Sequence, residues 1–138
     1  MARTIGLPAG LAAAALLLGV GLPAAAHHSF AIFDHSQTYT LKGTVNSFQW
    51  TNPHGYIDLA VAEGPPGIDR YTLELTSINM LRRAGWKSSD VNAGDKVTAI
   101  VAPLMNGQQG GLLLELKMAD GRTLVPPVPA ADTFQRSK

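Results

Sequence analysis

The sequence predicts an all-β domain with one short helix: a five-stranded, OB-like Greek-key barrel preceded by an N-terminal signal helix. Three observations predict it. Five segments carry apolar side chains on alternate residues, one short helical segment stands between the third and fourth of them, and the first strand changes phase part-way along. An open β-sandwich built from the same strands is the competing architecture.

The first strand opens with Tyr39, Leu41, Gly43 and Val45 in phase, and after Asn46-Ser47 the phase moves to Phe48 and Trp50. A one-residue slip turns every side chain to the other face, so a bulge is expected near Asn46, helped by Gly43. Asn52-Pro53 ends the strand, because proline cannot donate to a ladder. The second strand sets Ile57, Leu59 and Val61 on one face against Tyr56, Asp58 and Ala60, and the Gly-Pro-Pro-Gly run 64–67 is a loop. The third strand turns Tyr71, Leu73 and Leu75 inward and Thr72, Glu74 and Thr76 outward. Thr76 or Ser77 then caps a short helix over 78–84, which Gly85 stops. The turn at 92–95 leads into a fourth strand, 96–102, with Val97, Ala99 and Val101 in one phase. The fifth runs from Leu112 to Met118 with Leu112, Leu114, Leu116 and Met118 expected on one face, and Asp120-Gly121 turns into Thr123-Leu124-Val125.

Ahead of the barrel, Arg3 and the uncharged run from Thr4 to Ala26 read as a cleavable secretory signal. A spanning helix needs roughly 20 strongly apolar residues, whereas this core is alanine-rich and broken by Gly19, Gly21 and Pro23. Ala24-Ala25-Ala26 supplies the small side chains that signal peptidase requires, so the mature chain is expected to start at His27 in the bacterial periplasm, with no stable membrane span after cleavage. The division is then a signal over 1–26, a histidine-bearing arm over 27–37, the barrel over 38–125 and a proline-rich, disordered tail over 126–138. Loss of Arg3 leaves equal numbers of basic and acidic residues, which removes the electrostatic basis for nucleic-acid binding. The absence of cysteine excludes disulfides, thiolate metal sites and cysteine nucleophiles.

The four histidines, His27, His28, His35 and His54, all lie in the first part of the mature chain. Imidazole is the commonest metal ligand among side chains. Cleavage after Ala26 gives His27 a free amine beside its own Nδ1, a chelating pair that an imidazole from His28, His35 or His54 completes. Tetragonal nitrogen ligation suits Cu(II). Cleavage one residue earlier places His28 third from the amine, another chelate for Cu(II) or Ni(II). The bland alternative is an arm whose histidines are merely polar or hydrogen-bonded in place. For His54 that alternative is a turn histidine bonded within its loop; for Asp34-His35 it is a cap on the first strand.

Phe48, Trp50, Tyr56 and Trp86, with Asn52 in the intervening loop, form a second candidate site, since aromatic residues on the outer face of an OB barrel make stacking platforms. Against this stands a core role, above all for Trp86 behind the helix end. Ser29 and Ser77 lack a nucleophile elbow, Glu63, Glu74 and Glu115 show no pairing in their spacing, and 107–111 lacks the lysine of a phosphate cradle. No catalytic constellation is recognisable.

Together, His27-His28-Ser29-Phe30 with Phe33-Asp34, Gly43-Thr44-Val45, Phe48-Gln49-Trp50-Thr51-Asn52-Pro53-His54, Leu81-Arg82-Arg83-Ala84-Gly85-Trp86, Gly94-Asp95-Lys96-Val97 and Asp120-Gly121 resemble a family of small exported bacterial proteins known as domain of unknown function 6152. Members often carry Trp where Tyr71 stands and Ser-Pro where this chain has Ser77-Ile78. The resemblance implies export, this size and a β-barrel-like domain, and it implies no activity. The functional expectation is a periplasmic binding module that coordinates copper or another divalent metal through its histidines. The alternative is a structural or partner-binding OB-like domain using the aromatic groove.

Overall fold

A computed structural model describes residues 30–128; residues 1–29, which hold the expected signal with His27 and His28, and residues 129–138, which hold most of the expected tail, lie outside the described residues. After a 3-10 turn at Phe30–Ile32, the chain forms β1 (Tyr39–Gln49), β2 (Tyr56–Glu63), β3 (Arg70–Glu74), α1 (Ile78–Arg83), β4 (Lys96–Pro103), β5 (Gly110–Met118) and a short β6 (Thr123–Leu124). The strands run in the order β3-β2-β1-β4-β5-β6, and a parallel pairing of β3 with β5 closes the first five into a barrel. This is the OB-like Greek-key arrangement that the element order predicts.

Closure depends on β1 serving two partners. Its residues 42–49 pair with β2 and its residues 39–44 pair with β4, so the strand must coil sharply in between. The register against β2 slips between Val45 and Ser47, which makes Asn46 the extra residue of a bulge where the phase change places it. Gly43 permits the close approach at the bend, since a Cβ there would stand 2.1 Å from the Ala60 carbonyl oxygen.

Leu41, Val45, Ile57, Leu59, Tyr71, Leu73, Leu75, Val97, Ala99, Val101, Leu113, Leu116 and Met118 fill the interior. At roughly 1.5–3 kcal/mol for each large apolar side chain buried, this interior is the main source of stability in a domain without disulfides. The helix closes one end. Ser77 caps it by accepting from the Met80 amide, Ile78 and Leu81 point into the core, and Gly85, at φ +88°, stops it so that Trp86 turns beneath.

In β5 the structure departs from the expected pattern. The register against β4 slips so that Ile100 faces Glu115 while Val101 faces Leu113. Leu114 is therefore the extra residue, and Leu112, Leu114, Leu116 and Met118 do not share a face. Leu113, Leu116 and Met118 point inward, whereas Leu112 and Leu114 join Phe33 and Ala102 in a second cluster outside the barrel. Phe30, Ile100, Leu104 and Val128 pack around that cluster, so residues from both ends of the described chain meet there. Phe33 is bridged to Leu104, and the Asp34 amide donates to the Pro103 carbonyl at 2.8 Å.

Candidate functional site

His54 occupies the loop between β1 and β2, just after a cis Asn52-Pro53 peptide. Two backbone bonds clamp this loop to the end of β3: the Leu75 amide donates to the Gly55 carbonyl at 2.9 Å, and the Gly55 amide to the Thr76 carbonyl at 3.4 Å. His54 thereby lies over the outer face, where its Nδ1 is 2.6 Å from Glu74 Oε1. Their side chains are only 16% and 21% exposed. With Nδ1–H donating to the carboxylate, the tautomer and the ring plane are fixed, and any metal held by His54 would be held through Nε2.

Tyr56 stands directly opposite Glu74 in the β2–β3 ladder. Burial, and then the Glu74 charge, push its phenol above the ordinary tyrosine range. One step along the ladder, Arg70 donates to both oxygens of Asp58, from Nε at 2.8 Å and from a terminal nitrogen at 2.6 Å. The hydrogen bonds from Arg70 are the largest influence holding that carboxyl below its usual range.

The ladders place Tyr56, Glu74, Leu112 and Ala102 in one transverse row across β2, β3, β5 and β4. Neighbouring strands lie about 4.8 Å apart, so Glu74 and Ala102 are separated by roughly 10 Å on the outer face. Phe33 is buried in one cluster with Ala102 and Leu112 of that row, and Phe30 packs against the cluster. His35 holds the arm there, with its Nε2 2.9 Å from the Phe30 carbonyl. Asp34 accepts from the hydroxyl and amide of Ser36 and from Gln37, bonds that hold its carboxyl low and make it the cap of the turn into β1.

The other predicted residues divide by burial. Trp86 is core, 5% exposed, and its indole N–H donates to the Val125 carbonyl at 3.3 Å; it presents no platform to a ligand. Phe48 and Trp50 are half-buried, pack against the interior and meet edge to face at 5.5 Å. Asn52 is exposed on the loop. Among the described residues no three His, Cys, Asp or Glu side chains converge closely enough to hold a metal ion, and no helix is long and apolar enough to cross a membrane.

The sequence model of a family of unknown function (DUF6152) matches residues 14–115. The chain belongs to the DUF6152 family. The motifs around His27, Trp50 to His54 and Leu81 to Trp86 thus sit in the family to which they pointed. No curated protein matches the chain, and no solved structure does.

Glu74 is the residue of this DUF6152 member that reading by spacing missed. A signal for it existed: folding the β2–β3 hairpin symmetrically about Pro65 sets Tyr56 opposite Glu74, next to the His54 loop.

Proposed function

We propose that this DUF6152 protein is an exported binding module that holds copper or a similar divalent metal between His54 and the histidines of its N-terminal arm, for storage, delivery or sensing. The observation that carries this reading is the His54–Glu74 pair. A ligating histidine nearly always gives its other ring nitrogen to a carboxylate or carbonyl, which orients the ring and raises its basicity. His54 has that support while half-buried beside a tyrosine, a setting that a solvated turn histidine does not need.

The missing ligands come from residues 27–29. Phe30 is held against the outer cluster that contains Ala102 and Leu112, by its own ring and by the His35 bond to its carbonyl. Removal of 1–26 leaves an amine and an imidazole on His27, and His28 follows it. These nitrogens with His54 make a set suited to Cu(II). In this arrangement His35 is a positioning residue: its Nε2 is engaged by the Phe30 carbonyl, and it directs the arm rather than the metal.

The intact mass of the exported protein fixes its first residue. Competition titration of that protein with Cu(II) should show one tightly held ion per chain, with affinity falling at least about tenfold in His54→Ala. An affinity identical in the two proteins would make the ion a terminal chelate that does not use His54, and the proposal would fail.

A further inference from the structure

The end of the barrel opposite α1 is built differently. It is bounded by the β2–β3 and β4–β5 loops, which Gln109 ties together by donating from its side-chain amide to the Gly67 carbonyl at 3.2 Å. Between them is a cavity of about 250 Å³ lined by Tyr39, Tyr71, Ile68, Leu104 and Gln109, together with Pro66 and Pro103. No charged side chain lines it.

Tyr71 is 1% exposed, and its hydroxyl is the buried side-chain polar atom without a hydrogen-bond partner among the described residues. A buried hydroxyl left unpaired is costly, so it calls for a partner. Tyr71 lines this mouth of the barrel, with its oxygen set against β5: a Cβ on Gly111, which faces Pro103 across the β4–β5 ladder, would come within 3.1 Å of it. Burial pushes this phenol up to about 12, so at neutral pH it presents an O–H donor and carries no charge.

We infer that this mouth is a binding pocket for one small, uncharged, hydroxyl-bearing ring, a single neutral sugar unit, with Tyr71 as its buried hydrogen-bonding anchor. The volume lies below the range of drug-sized pockets, which limits the ligand to about one ring. Aromatic and proline surfaces match the apolar face of such a ring, while the Tyr71 hydroxyl and the Gln109 amide match its oxygens. The inference is separate from the metal reading, since among the described residues neither His54 nor His35 lines the cavity.

The test is a nitrogen-15 NMR titration of the mature protein with glucose, galactose and N-acetylglucosamine. At least one sugar should give saturable shifts centred on Tyr39, Ile68, Tyr71 and Gln109. Tyr71→Phe keeps the ring in the core, so it should fold while weakening that sugar about tenfold, the worth of one hydrogen bond. Glucose 6-phosphate should bind more weakly than glucose, because nothing in the lining offsets its charge. The proposal is overturned by an absence of saturable shifts with all three sugars, by equal affinity in Tyr71→Phe, or by tighter binding of the phosphate.

Discussion

β4 and β5 carry two hydrophobic clusters back to back, and the two differ in what they hold in place. The interior cluster draws on every strand of the closed barrel and on α1, so each of its members is fixed by several elements at once. The outer cluster has four buried members, Phe33, Ala102, Leu112 and Leu114, and it fixes what the barrel does not need in order to close: the N-terminal arm and Val128. One residue separates the two roles. The bulge at Leu114 turns Leu112 and Leu114 outward while Leu113 and Leu116 stay inward. Stability belongs to the first cluster and placement of the arm to the second, so substitutions in the two should differ in kind as well as in size.

The largest effect is expected inside. Leu113→Ala removes a fully buried side chain and should cost about 2–5 kcal/mol, read as a lowered midpoint in chemical denaturation. Phe33→Ala should fall at the low end for a buried phenylalanine, about 3 kcal/mol, because the outer cluster can collapse around the loss. It should also release the arm, seen as faster hydrogen exchange at Asp34 and Met105 with the β1–β2 ladder still protected. An equal loss of protection throughout would show that the clusters are one core.

Glu74→Gln keeps the shape of the side chain and removes the carboxylate behind His54. It should lower copper affinity about 10- to 100-fold by competition titration, with only a small change in the unfolding midpoint. The smallest effect concerns pH. The Asp58 carboxyl is held low by Arg70, so its contribution to stability is fully present above its ordinary pKa of 3.8 and is lost as pH falls through the depressed folded value. Arg70 is solvent-exposed, which keeps the contribution modest. Denaturation curves at pH 5 and pH 3 should therefore differ slightly less for Asp58→Asn than for the unsubstituted protein.

The sequence carried the barrel wherever polar residues marked the phase. Tyr39 to Trp50 alternates clearly enough for the slip at Asn46 to be read directly, and the single helix after the third strand selects the Greek-key order. Leu112-Leu113-Leu114 carries no such mark: three identical side chains suit either face, so the bulge and the outer cluster were hidden. At the site, His54 was legible as a candidate ligand in the turn between the first two strands. Its pairing with Glu74 depends on hairpin register, and the row leading to Phe33 depends on the parallel β3–β5 closure; alternation within a single strand reveals neither. Trp86 was ambiguous because a tryptophan behind a helix end suits core and platform alike, and burial decides for the core.

The central claim is that the arm and His54 share one metal ion. The direct measurement is the electron paramagnetic resonance spectrum of the mature protein with one equivalent of Cu(II), beside that of His54→Ala. The account expects a single nitrogen-rich signal that loses one nitrogen coupling and shifts its parameters when His54 is replaced. Two superimposable spectra would contradict it.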